Sequence, residues 1–167
     1  AGMSLENLNT FLLNDNVIRA MPTLGISNGA SPIAFCSSKE IENSIGQKIL
    51  NKLGQCIKIE ESKFDAFTSI FGAGPAYISY LGNLLSEIAL SNGFENPEPL
   101  IRDLLKGTYE IHNSANKPSF NEIKNMVASK GGVTEAALKK IGSSGMEEIW
   151  KSAIEDAINQ SKKLGDN

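Results

Sequence analysis

Residues 75–92 read Pro-Ala-Tyr-Ile-Ser-Tyr-Leu-Gly-Asn-Leu-Leu-Ser-Glu-Ile-Ala-Leu-Ser-Asn. Tyr77, Ile78, Leu81, Leu84, Leu85, Ile88 and Ala89 recur at helical intervals, and Pro75 suits a first helical turn, so the stretch predicts a long helix opened by that proline. Its apolar residues cover much of the circumference instead of one stripe, which predicts burial on several sides. Every strong periodicity downstream is also helical. Asn96-Pro97 reads as a cap and a first-turn proline ahead of Leu100, Ile101, Leu104 and Leu105. Ser119-Phe120-Asn121-Glu122 is a capping box, followed by Ile123 and Val127 on one face. Thr134, Leu138 and Ile141 mark a short helix ended by Gly142. Met146, Ile149, Trp150, Ala153, Ile154, Ala157, Ile158 and Leu164 form the cleanest stripe in the chain.

Upstream the character changes near residue 60. Leu5, Leu8, Phe11 and Leu12 mark a short helix with Ser4 as its cap. Val17–Pro22 reads as a strand stopped by proline, and Pro32–Cys36 as a second strand beyond the turn residues Ser27-Asn28-Gly29. Ile41, Ile45, Ile49 and Leu53 lie on one helical stripe, with Gly54 as a left-handed cap, and Gln55–Ile59 is a third strand. This alternation predicts an α/β sheet over 1–60 and an all-helical domain over 61–167. Three strands and two helices bury little surface, and the first strand follows a helix with no earlier strand to open a parallel unit. The expectation is therefore a chain that starts inside an α/β domain.

Composition narrows the function. Sixteen Lys and Arg against nineteen Asp and Glu give a net charge of −3, which excludes a strong basic footprint for nucleic acid. Arg19 and Arg102 are the only arginines, so repeated bidentate phosphate forks are excluded as well. Two cysteines, Cys36 and Cys56, and the single His112 supply neither a disulfide framework nor a Cys- or His-rich metal site, so no metal is expected. There is no apolar run of membrane-spanning length, and residues 1–6 lack the basic flank and apolar core of a secretory signal. The expected location is the cytoplasm, with no membrane partner.

Two glycine clusters invite a ligand reading. Gly72-Ala73-Gly74-Pro75-Ala76-Tyr77 lacks the third small residue of a dinucleotide fingerprint, since Tyr77 stands there. Close backbone packing ahead of the long helix is the better reading. Ser129-Lys130-Gly131-Gly132-Val133-Thr134 joins two predicted helices. Glycines permit shapes that expose successive N–H groups, and the following helix presents its positive dipole end, so the segment can hold a carboxylate or phosphate. The alternative is a plain helix–helix turn with Thr134 as a cap. His112 has no partner spacing for catalysis and reads as a surface residue. Met146 and Trp150 read as core, and Cys36 and Cys56 as small buried hydrophobes.

Three segments in order resemble the pyrroline-5-carboxylate reductase family: Ala1-Gly2 with the following helix and Val17–Pro22; Phe64–Thr68 through Gly72–Tyr77, with Gly93 closing the helix; and Met126–Thr134. The resemblance spans essentially the whole chain. It implies the tail of a Rossmann domain for NADPH or NADH followed by a helical domain that builds an intertwined homodimer, with larger rings also known in the family. The family's glycine-rich phosphate loop is absent from these residues, so the chain alone is expected to be inactive. The implied reaction is hydride transfer to the C=N carbon of pyrroline-5-carboxylate, giving proline. The resemblance implies that Ser129, Gly131, Gly132, Val133 and Thr134 bind the substrate carboxylate, with the Thr134 hydroxyl assisting protonation of the ring nitrogen. It further implies that Ala1, Met21 and Pro22 border the nicotinamide.

The chain departs from the family pattern in four places. Met21-Pro22-Thr23-Leu24-Gly25 replaces Met-Pro-Asn-Thr-Pro, Lys130 replaces a common proline, Ala73 replaces a common serine, and Asn113–Lys117 lacks an acidic residue. Two alternatives therefore stand within the family: a reductase of another cyclic imine, or a silent relative. A third, from a different class, is a helical dimerisation module with no small-molecule site.

Overall fold

A computed structural model of the chain describes residues 2–14, 16–39 and 44–165. It contains α1 (Leu5–Leu12), β1 (Ile18–Met21), β2 (Ser31–Ser37), α2 (Ile45–Leu53), β3 (Gly54–Lys58), α3 (Phe64–Phe67), α4 (Gly74–Ser91), α5 (Glu98–His112), α6 (Phe120–Val127), α7 (Val133–Gly142) and α8 (Met146–Gly165). A π-helical turn, Thr68–Gly72, links α3 to α4. The described strands all precede residue 60 and everything after residue 61 is helical or connecting, as the sequence predicts. Ile41, expected on the α2 stripe, lies outside the described residues. The chain divides into two compact units, residues 1–77 with 152–167 and residues 78–151, so the division falls within α4 and α8.

The first unit is built on a sheet of order β1-β2-β3 among the described residues. β1 runs antiparallel to β2 (Arg19 opposite Cys36), and β3 runs parallel to it (Ser31 opposite Gly54, Phe35 opposite Lys58). Ile33, Ala34, Phe35 and Cys36 are all buried, as a central strand covered on both faces requires. Around Ala34 and Cys36 pack Leu5, Val17, Phe64 and Phe67, with Leu8, Met21 and Ile59 at the margin.

Polar contacts fix the edges of this core. The Ser4 hydroxyl caps α1 by accepting from the Asn7 amide at 3.0 Å. Glu61 Oε1 accepts from the Leu5 amide at 2.6 Å and from Arg19 Nη1 at 2.8 Å. The Arg19 guanidinium lies 4.2 Å over the Phe64 ring centroid. Ser161 of α8 donates to Asp65 Oδ1 at 2.6 Å, and the Tyr77 hydroxyl donates to the Ser69 carbonyl at 2.9 Å.

Gly54 does not form the left-handed cap expected of it. It is the first residue of β3, and a Cβ there would collide with the Ser31 backbone. The glycine is required by strand approach, not by a helix end. Nor is Asn96 the cap of α5: Pro97 holds that position without a side-chain hydrogen bond.

In the second unit the capping box of α6 forms as predicted. Ser119 donates its amide to Glu122 Oε2 at 2.7 Å, and its hydroxyl accepts from the Glu122 amide at 3.2 Å. The Ser119 hydroxyl and amide hold the Glu122 carboxyl below the usual carboxylate range. His112 is half-buried, with Nδ1 3.0 Å from the Pro118 carbonyl and its ring 4.3 Å from that of Phe120. α4 approaches α5 over a small residue, since a Cβ on Gly82 would lie 3.6 Å from Ile101 Cγ2.

The expectation that α4 is buried on several sides is corrected by the structure, as is the placing of Met146 and Trp150 in a core. Within residues 78–151 only Gly82, Ser86 and Pro97 are buried. Ile78, Tyr80, Leu81, Leu84 and Ile88 of α4 are exposed, and so are Met146, Ile149 and Trp150 of α8. The periodicity correctly identified apolar faces, but one copy of the chain supplies no second layer to cover them.

Two outcomes test this description. Gly54→Ala should destabilise the chain by about 1–3 kcal/mol through overpacking, read by chemical denaturation. Burial, then Glu61, pushes the Cys36 thiol up to about 11 against an opposing effect of Arg19. A thiol raised in the fold favours the native state fully below its ordinary value near 9, so this contribution is lost as pH rises from 9 toward 11. Alkylation of Cys36 at pH 8 should run about a hundredfold slower than that of a free thiol, measured by mass spectrometry of the labelled peptide.

Candidate functional site

The segment between α6 and α7 is shaped by short-range hydrogen bonds. The Ala128 amide donates to Lys124 O at 3.1 Å, ending α6. Ser129–Gly132 then forms a turn closed by the Gly132 amide on Ser129 O at 2.9 Å. Gly131 sits at φ 74°, a left-handed conformation that favours glycine. Gly132 is extended (φ −82°, ψ 168°) and caps α7 with no side chain to accept a hydrogen bond. A Cβ there would lie 2.6 Å from Ser129 Oγ, so the second glycine is required by contact and the first by backbone shape.

Helix α7 therefore begins with its own amides short of acceptors. The Gly132 amide is used by the turn, and the Gly131 amide donates to Glu135 Oε2 at 2.6 Å. The Val133, Thr134 and Glu135 amides have no acceptor among the described residues. Three amides in the first turn of a ten-residue helix, at its positive dipole end, suit an anion of carboxylate size. An open recess of about 720 Å³ lies alongside, lined by Asn125, Ala128, Gly131, Gly132, Glu135 and Lys139 among others.

The five residues expected at the carboxylate thus lie in one turn–helix junction. Ser129, Gly131 and Val133 are exposed, while Gly132 and Thr134 are half-buried. Thr134 is the second residue of α7, so the alternative of Thr134 as a cap does not hold. Met21 and Pro22 belong to the other unit, both half-buried at the end of β1. Met21 Cε lies 2.9 Å from where a Cβ on Gly72 would stand. Close packing is thus the role seen at Gly72, whereas Gly74 has nothing within 4 Å of an added Cβ. Ala1 lies outside the described residues.

Glu135 is the residue the sequence reading missed. Its signal was a carboxylate three positions after a glycine cap, Gly132-Val133-Thr134-Glu135, which resembles a capping box without its hydroxyl.

With this geometry in view, residues 61–164 match the model of the family described as pyrroline-5-carboxylate reductase dimerisation. The chain belongs to that family. It is 28% identical over 176 residues to pyrroline-5-carboxylate reductase 1 of Bacillus spizizenii, covering 100% of this chain and 58% of the relative. It is also 28% identical to the Aquifex aeolicus pyrroline-5-carboxylate reductase, covering 98% of this chain and 64% of the relative. Among solved structures it is similar to a Coxiella burnetii pyrroline-5-carboxylate reductase, with a TM-score of 0.85 and 25% identity over 98% of this chain and 63% of the other. It is likewise similar to the Plasmodium falciparum pyrroline carboxylate reductase with NADP bound, with a TM-score of 0.83 and 26% identity over 98% of this chain and 67% of the other. The chain spans about three fifths of the length of these curated relatives. The likeness runs through the small sheet as well as the helices, so the fold class expected from the sequence stands: part of a Rossmann-like α/β domain followed by a helical dimerisation domain.

Proposed function

We propose that this chain serves the NAD(P)H-dependent reduction of pyrroline-5-carboxylate to proline in the full-length protein. The observation that carries the reading is the glycine-capped start of α7, with its three unengaged amides, in a chain of this family. In this reading the substrate carboxylate accepts from the Val133 and Thr134 amides, with the Ser129 hydroxyl as a further donor. The Thr134 hydroxyl has no partner among the described residues, which leaves it available to assist protonation of the ring nitrogen.

The residues present fit only the border of a dinucleotide. Met21 and Pro22 offer a half-buried strand end, and Gly72 packs against Met21 at the entry to α4. When bound, the reduced nicotinamide supplies the hydride; this chain supplies orientation of the imino acid. We place the reaction in the cytoplasm, a reading supported by the two free thiols Cys36 and Cys56. No described helix is long and apolar enough to cross a membrane.

The exposed faces of the helical unit support a homodimer. Tyr80, Leu104, Tyr109, Met126, Ile149 and Trp150 are exposed large side chains, and burying an aliphatic one of this size contributes about 1.5–3 kcal/mol. Stacking them against a second copy supplies the missing layer.

The full-length protein should oxidise NADPH or NADH in the presence of pyrroline-5-carboxylate. Thr134→Ala should lower kcat/KM by about tenfold or more, with KM for the dinucleotide unchanged. A protein that neither turns over the substrate nor binds proline is a scaffold instead, and turnover of a different cyclic imine identifies a divergent reductase. Sedimentation velocity at micromolar concentration should show a dimer or a larger assembly; a stable monomer contradicts the association.

A further inference from the structure

Glu135 makes a contact that the proposed reaction does not require. As the third residue of α7, it reaches back past the Gly132 cap to the Gly131 amide at 2.6 Å. In a capping box the carboxylate at this position returns to the cap residue's own amide. Here that amide is already donated to Ser129 O, and Glu135 takes the preceding one.

We propose that Glu135 is a positioning residue for the carboxylate site, an inference that rests on the functional reading above. Its carboxylate holds Gly131 in the left-handed conformation and so fixes the Ser129–Gly132 turn. It also decides which amides are offered to a guest. The Gly131 and Gly132 amides are engaged within the chain, and those of Val133, Thr134 and Glu135 itself are left. The negative charge of Glu135 at the same helix end opposes any anionic guest, so it is the hydrogen bond Glu135 makes, and not its charge, that serves the site.

The test compares the full-length wild type with Glu135→Gln and Glu135→Ala. L-proline and pyrrolidine, which lacks the carboxylate, serve as probes in calorimetric titration. Hydrogen exchange at the Gly131 amide gives a readout that needs no ligand. Glu135→Ala should weaken proline binding about five- to tenfold and speed Gly131 exchange about tenfold, leaving pyrrolidine unaffected. Glu135→Gln keeps an acceptor oxygen and should hold proline affinity within about twofold of wild type.

Unchanged Gly131 exchange in Glu135→Ala overturns the contact. Faster exchange with unchanged proline affinity overturns the positioning role. Equal weakening by both variants also overturns it, because the acceptor oxygen that Gln retains then makes no difference. A parallel loss for pyrrolidine shows general damage and overturns it too. A wild type that binds no proline refutes the functional reading first, while the exchange measurement still judges the contact.

Discussion

Glu61 stands at the junction of three segments that are far apart in the chain. It accepts from the first residue of α1 and from a β1 arginine, and that arginine lies over the aromatic ring that begins α3. A helix start leaves amides in need of acceptors, a strand arginine needs a counter-charge, and one carboxylate serves both. The Arg19 side chain is 11% exposed and that of Glu61 39%, so the pair keeps part of its hydration. Such a pair is worth more as a registration device than as a source of stability, because desolvation offsets much of the Coulomb gain. What it registers is the order of α1, β1 and the first helical residues around Phe64. Met21 and Pro22 lie two and three residues after Arg19, so the strand end proposed to border the nicotinamide leads directly out of this junction.

The two units differ in how they use apolar side chains. The first buries Ile33, Ala34, Phe35, Phe64 and Phe67 within its own residues. The second buries no large apolar side chain, although its helices carry many. A lone layer of amphipathic helices has too little interior to offset the entropy of ordering it. Its stability is therefore tied to whatever covers those faces, and the family to which residues 61–164 belong is described by dimerisation.

Much of the fold was legible in the sequence. The strands, the Ser4 cap and the Ser119–Glu122 capping box follow from local preferences that the structure preserves. Gly54 was misread because its need for a missing side chain comes from a distant strand, Ser31, and not from the helix beside it. The α4 face is a different case, being exposed in one copy of the chain. Periodicity reports that a surface is apolar, and says nothing about whether the same chain or another copy covers it. At the site, the paired glycines identified the segment, but Glu135 did not stand out. Its role depends on which amide the preceding turn has already consumed, a fact of geometry that residue type does not carry.

The segment from Ser119 to Ala136 has one further property. The hydrogen bonds that shape it, from the capping box through the Ser129–Gly132 turn to Glu135, each connect residues no more than four apart. Such bonds close small loops at little entropic cost and form early. The hydrogen bonds that shape the site are thus written into a contiguous stretch of fewer than twenty residues, while α6 and α7 still depend for their stability on what covers them. A receptor built this way takes its shape from its nearest neighbours in the chain and its firmness from whatever packs against its helices.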